Sequence, residues 1–397
     1  MKVERYERIR HAAAGGAEPL LRSGLEHSLP WLEAEEGRVA PFQNYLLARG
    51  RDGTPTALAT CYPIRHTSAH RAYAAWEVLL GAPTEALVEA LPPGAAHDDA
   101  VNTLAKLRAG LPATATDALA VVTPGSVRPG VLTARDAVPV RELDALVSAV
   151  EDLSAELSLP VVEFAHVRGD AEGRRLHRVL RARGYTAVTT GADAVLDARF
   201  TSLETYFARF RSNRRKTLRK ERSRFLAQAP EVRLQGPEGL TPCLVALQLA
   251  RYRAYGHDTD ADAVRDRFSR AARIPGLKVL RADGSDGPLG FVAFYEDPRA
   301  RRLVPRLGAF TRDVPSCYFN LSYYELIAYA ARIGGMSIHY GDSTYGAKTL
   351  RGCRLVRLTT YLRAADPALH HQLDEAARLR TTLEENQMRA AEDMAGS

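Results

Sequence analysis

The sequence predicts an α+β protein, a mixed α/β sheet covered by helices, arranged as two domains with a helical tail. Three observations predict it. The 397 residues suffice for two separate cores. The second half runs helix, strand, two helices, three strands, helix, strand, loop, strand, an order that suits a mostly antiparallel sheet. Apolar residues make up 46% and charged residues 25%, and no stretch approaches the roughly 18 apolar residues that a membrane span needs.

The elements follow in chain order. Residues 42–62 alternate around "RGRDGT" and predict a β-hairpin. "HRAYAAWEVLL" predicts a further strand, and the Pro/Gly stretches at 91–96 and 124–130 predict loops. "VRELDALVSAVEDLSAEL" has the apolar period of an amphipathic helix, and "PVVEFAHV" predicts a buried strand after it. "EGRRLHRVLRARGY" predicts a helix stopped by Gly184, followed by a strand up to about Asp197. A long helix is expected over 203–227, then a strand at 231–235 and helices at 241–255 and 261–273. "LKVLRAD", "GFVAFYE" and "RRLVPRLGAF" predict three strands, followed by a helix over 318–333 that ends at Gly334-Gly335. "MSIHYG" and "CRLVRLTTYLR" predict the last strands, and the residues after Pro367 one polar helix. The expected boundaries are 1–197, 198–365 and 366–397.

Composition excludes several classes of function. Cys61, Cys243, Cys317 and Cys353 are scattered, without CxxC spacing or companion histidines, which predicts reduced thiols and no metal site. The charged start "MKVERYERIRH" predicts no secretory leader, and with it a cytoplasmic protein. The net charge of +7 is concentrated in one place. From Arg199 to Arg224 ten Lys/Arg face two acids, Glu204 and Glu221, a local excess larger than that of the whole chain. Arg214, Arg215, Lys216, Arg219 and Lys220 lie in this run, where like charges at helical spacing repel one another and a polyanion would relieve them. No aromatic interleaving of the single-strand binders is present, nor any duplex-reading motif, so DNA is not expected.

"GDSTYGAK", residues 341–348, approaches a phosphate-binding loop, but Ala347 displaces Lys348 by one position and a strand follows where a helix is required. No nucleotide triphosphate is expected. A glycine hairpin on the substrate side of a cleft fits better, with Asp342 at the strand end. "CYFNLSYYELIAYAARIGG" loads one helix with Tyr323, Tyr324 and Glu325, and Glu325 borders the apolar stripe where a carboxylate can act as a base.

Two stretches together, "YFNLSYYELIAYAARIGG" and "GDSTYGAKTLRGCRLVRLTTYLR", resemble the C-terminal signature of the FemAB-like proteins of the GNAT superfamily, labelled peptidoglycan biosynthesis/recognition. The positions that carry the resemblance are Tyr323, Tyr324, Glu325, Gly341, Gly346, Lys348, Arg351 and Gly352. It covers about 160–365 well and the first 150 residues in outline. The chain departs from the family before the lysine, where Asp342-Ser343-Thr344-Tyr345 replaces an Ala/Gln-Gly-Glu arrangement. The Q/R-x-x-G-x-G/A pyrophosphate loop of acetyl-CoA-using GNAT enzymes is missing from "LGAFTRDVPSCYFN".

The resemblance implies two GNAT-like domains facing a shared cleft, and N-acyl transfer from an activated ester or thioester to an amine. Catalysis would rest on positioning and oxyanion stabilisation, with no metal and no tightly bound cofactor. The donor, aminoacyl-tRNA or acyl-CoA, would be a co-substrate held by Arg214, Arg215, Lys216, Arg219 and Lys220, with tRNA a candidate partner. Lys348 and Arg351 would hold the acceptor's anionic group or the oxyanion, Glu325 or Asp342 would take the ammonium proton, and Tyr323 and Tyr324 would line the substrate. The alternatives are a non-catalytic binding protein for tRNA or a cell-wall precursor, and an acyl-CoA-dependent N-acyltransferase of specialised metabolism.

Overall fold

The computed structural model describes residues 2–396 apart from positions 69, 70, 135–137, 172, 229, 255, 257, 286, 312, 313, 315 and 343, with the backbone alone described at 71. The architecture is α+β with a mixed sheet. Among the described residues the strands are β1 (Lys2–Tyr6), β2 (Asn44–Arg49), β3 (Pro55–Ile64), β4 (Ala118–Val121), β5 (Val131–Thr133), β6 (Val161–Arg168), β7 (Thr186–Ala198), β8 (Glu231–Gln235), β9 (Leu277–Gly284), β10 (Gly287–Asp297), β11 (Arg302–Phe310), β12 (Met336–His339) and β13 (Arg354–Ala364). They divide between two compact units, Met1–Ala194 with Gly341–Ser397, and Val195–Tyr340. This division differs from the boundaries expected at 198 and 365. Residues 341–365 and the tail belong to the first unit, because β13 is hydrogen-bonded between β6 and β7.

The first unit carries the order β1-β2-β3-β4-β6-β13-β7, with β5 on β3. β4 and β6 are parallel, and the Val140–Glu156 helix connects them. Side-chain alternation sorts β6 cleanly. Val162 and Phe164 join the core built on the Val140–Glu156 and Arg174–Ala182 helices, with Leu146, Val150 and Leu180. Val161 turns to the other face, against Leu79, Leu87, Leu369 and Leu373 of the Ala75–Leu80, Ala82–Glu89 and Pro367–Gly396 helices. Glu163 and Ala165 share the parity of Val161. A bulge follows, with Phe164 opposite Tyr361 and Val167 opposite Thr359, so that Ala165 and His166 together face Thr360. His166 takes the left-handed conformation there, with φ of 57°.

Two expectations for this unit need correction. The stretch predicted as a strand around 71–80 is helical from Ala75 to Leu80, because Ala75, Leu79 and Leu80 fall on one buried helical face. The 341–352 segment is not a hairpin. Tyr345–Thr349 is a short helix, and β13 pairs with β6 rather than with β12. Ser343, named with this loop, lies outside the described residues.

The second unit orders the end of β7, then β12-β11-β10-β9-β8. β11 and β12 are parallel and pair at Arg302–Ser337 and Leu303–Ile338, and β11 then runs on to Phe310 with no strand on that side among the described residues. The helix expected over 203–227 is two, Leu203–Ala208 and Ser212–Leu226, because Arg211 takes extended backbone angles between them. The first of the two starts on a Ser202–Thr205 capping box. The tyrosine-rich helix contains a π-helical turn at Asn320–Glu325, a deformation that recurs at functional sites.

Candidate functional site

In the first unit the sheet face carrying Glu163, the Ala75–Glu89 helices, the 341–349 segment and the C-terminal helix enclose a cavity of about 410 Å³. Glu163, Ala165 and His166 of β6, Thr190 of β7 and Thr360 of β13 form its floor. Tyr73, Val78, Ala86 and Leu87 supply apolar wall, and Arg380 and Glu384 enter from the C-terminal helix. Asp342, Thr344 and Gln387 line it from exposed positions.

The polar groups at the bottom are of two kinds. Arg380 and Glu384, at 5% and 3% exposure, form an ion pair of 2.9 Å one helical turn apart. Arg380 also donates to the Thr190 carbonyl at 3.2 Å, and Tyr345 donates its hydroxyl hydrogen to Glu384 at 2.7 Å while accepting the Ala192 N–H at 2.9 Å. Gly191 makes room for this, since a Cβ there would stand 3.0 Å from the Tyr345 oxygen. Arg380 keeps Nε and Nη1 without an acceptor, and Glu163 is unpaired altogether. It is fully buried, and neither carboxyl oxygen has a hydrogen-bond partner. Buried polar atoms are nearly always paired, so such a group is a strong departure from the rule. Burial alone pushes its carboxyl up to about 8.

Of the residues singled out from sequence, Asp342 lines this cavity. Lys348 and Arg351 sit near it in the chain but not among its walls. Lys348 is 5% exposed, and its ammonium donates to the carbonyls of Gly341 at 3.0 Å and Asp342 at 2.6 Å. Desolvation pushes this amine below its ordinary value. The same loop is held from the other side by Asp193, which accepts the Gly341 N–H at 3.1 Å and pairs with the buried Arg168 at 2.7 Å. Arg351, at 2% exposure, donates to the Ala347 carbonyl at 2.9 Å. Both cations therefore shape the loop that presents Asp342 and Tyr345.

The remaining candidates lie in the second unit. Glu325 is committed to Arg222 at 2.6 Å, and Arg222 also donates to Asn320 at 3.1 Å. Tyr324 donates to Glu221, and Tyr323 stacks on Tyr340 with ring centroids 4.7 Å apart; both tyrosines are fully buried. The Ser212–Leu226 helix is thus tied to the tyrosine-rich helix by its C-terminal half. Leu218 and Phe225 anchor its apolar face. Lys216, Arg219 and Lys220 are exposed, Arg214 and Arg215 half-buried, and Arg219 reaches Glu204 at 2.6 Å.

Glu163, Arg380 and Glu384 were not singled out from sequence. One signal was available for Glu163, a single acid inside the apolar run "VVEFAHV", where a buried strand should carry none. Arg380 and Glu384 give no such sign, since they look like ordinary surface charges of a polar helix.

Comparison with solved structures defines the class of fold. FemX superposes with a TM-score of 0.57 at 10% identity, over 94% of this chain and 100% of that one. The C-terminal domain (DUF2156) of a putative lysylphosphatidylglycerol synthetase from Agrobacterium fabrum gives 0.54 at 9% identity, over 94% and 96%. A tandem GNAT protein from the clavulanic acid biosynthesis pathway gives 0.50 at 10% identity, over 92% and 99%. No protein-family model and no curated protein matches the sequence. The chain shares its fold with FemX and with a tandem GNAT protein, consistent with two GNAT-like units. Among the described residues, no helix is long and apolar enough to cross a membrane.

Proposed function

We propose that the protein is an N-acyltransferase that forms an amide between an amine and the acyl or aminoacyl group of a phosphate-bearing donor. The observation that carries this is the parting of β11 from β12 after two paired residues, within a fold shared with FemX and a tandem GNAT protein. A strand edge left open at that point can hydrogen-bond an extended, amide-containing donor as an added strand would. The exposed cations Lys216, Arg219 and Lys220, with Arg215 beside them, supply charge for its phosphates.

The chemistry needs an uncharged amine. Its nitrogen attacks the donor carbonyl, the tetrahedral intermediate collapses, and the leaving group departs as the ribose hydroxyl of an aminoacyl ester or as a thiol. One proton must be removed from the ammonium before attack. Glu325 is a poor choice for that step, because its carboxylate is already held by Arg222. Asp342, exposed and lining the cavity of the first unit, is the other carboxylate that the sequence singles out for this step.

The test supplies the purified protein with mixed aminoacyl-tRNA in one arm and mixed acyl-CoA in the other, each with a pool of small primary amines. Amide products are followed by mass spectrometry. Product in one arm supports the reading and identifies the donor class. Binding of either donor with no amide above the protein-free rate would overturn it in favour of a binding protein.

A further inference from the structure

We propose that the Glu163 cavity of the first unit is a binding site for the primary ammonium end of a small organic cation, with Glu163 as its buried counter-ion. The proposal stands on the cavity itself. Under the transferase reading the cation would be the acceptor amine, and direct binding separates the two.

The charge of the walls argues first. Glu77, Glu163, Asp342 and Glu384 face one guanidinium, Arg380. Arg380 pairs with Glu384 through one nitrogen and keeps Nε and Nη1 without an acceptor, yet the four carboxyl groups outnumber this one guanidinium, and Glu163 has no ion pair. An anion would meet this surplus, and a neutral ligand would leave the Glu163 carboxyl as costly as before. A cation offsets it. Hydrogen-bonding capacity argues second. A primary ammonium has three donors, and the same cavity offers the hydroxyls of Thr190 and Thr360, hydrogen-bonded to each other at 3.1 Å with lone pairs left to accept. Shape argues third. Tyr73, Val78, Ala86 and Leu87 give a short alkyl chain an apolar wall. Tyr73 and Tyr345 are the phenol rings of the lining, too few for the cage that recognises quaternary ammonium.

Binding should be coupled to a proton. Burial keeps Glu163 protonated until about pH 8, so an arriving ammonium displaces that proton at pH 7 and finds none at pH 9. The other titratable or charged groups facing the site are Tyr73 and Glu77 from the helical side, His166 on β6, Asp342 and Tyr345 on the 341–349 segment, and Arg380 and Glu384 on the C-terminal helix.

The experiment measures n-butylammonium, n-butanol, n-butyrate and tetramethylammonium against the full chain by ligand-observed NMR and by calorimetry in two buffers of different ionisation enthalpy. The expected result is millimolar binding of butylammonium, with the other three at least about tenfold weaker. About one proton should be released per butylammonium bound at pH 7 and almost none at pH 9. Glu163→Gln keeps the shape, and should weaken butylammonium about tenfold or more and abolish the proton release. Equal binding of butanol, no butylammonium binding, or binding and proton release unaltered by Glu163→Gln would each overturn the proposal. The wild-type proton count alone decides it should the variant not fold.

Discussion

Glu163→Gln also tests the energetics of the cavity without any ligand. In the folded protein the carboxyl is held near 8, against an ordinary value of 4.5, by burial alone. Each pKa unit is worth about 1.4 kcal/mol, so ionising Glu163 in place costs roughly 5 kcal/mol, an upper bound because water entry and relaxation lower it. The sign follows from proton counting. Between pH 4.5 and about 8 the unfolded chain has released this proton and the folded chain keeps it. Stability from this group therefore falls as pH rises, by about 1.4 kcal/mol per pH unit, and levels off above 8. The variant escapes the penalty. It should match the wild type near pH 5 and exceed it by several kcal/mol at pH 9. Urea unfolding followed by tryptophan fluorescence reads this well, since Trp31 and Trp76 both lie in the first unit. Parallel stability–pH curves for the two proteins from pH 5 to 9 would refute the reasoning, because Glu163 would then be paired or solvated.

Three further outcomes are expected. Asp193→Ala leaves Arg168, 2% exposed, without its closest carboxylate, and should lower the urea-derived stability of the first unit by about 3–5 kcal/mol. Gly191→Ala drives a Cβ to 3.0 Å from the Tyr345 oxygen and strains the bonds to Ala192 and Glu384, which should cost about 1–3 kcal/mol in the same assay and weaken butylammonium. Replacing Arg215 and Arg219 together with Gln should weaken the phosphate-bearing donor and reduce the log–log salt slope of binding by about 0.7–0.9 per lost contact. The unfolding midpoint of that double variant should barely move, since the Arg219–Glu204 pair is exposed on both sides.

Much of the architecture was legible because it is local. The Val140–Glu156 helix announces itself by period, the β2–β3 hairpin by "RGRDGT", and the end of the Arg174–Ala182 helix by Gly184, whose φ is +73°. What escaped depends on partners far away in sequence. Alternation in "CRLVRLTTYLR" tells which residues share a face but not that the strand pairs with β6, and the domain boundary turns on that pairing. The candidate site was half-legible for the same reason. Asp342 lies on a loop whose glycines and lysine draw the eye. The cavity it borders is completed by Glu384, whose inward orientation only tertiary packing decides. Lys348 drew attention by its chemistry, yet its two carbonyl bonds are those of a loop clamp.

The discontinuity of the first unit sets an order of events during synthesis. Val195–Tyr340 is one uninterrupted segment, and every strand of its part of the sheet has been made once residue 340 is added. The first unit cannot close then, because β13, which sits between β6 and β7, has yet to be made. Until it arrives, β6 lacks one partner and the nascent protein carries an open strand edge, the kind of surface that pairs with the wrong chain. A ribosome that stops after residue 340 would thus leave the first unit without its β13. Residues 341–397 act as the closing stitch, and the Pro367–Gly396 helix among them brings Arg380 and Glu384 to the Glu163 cavity last.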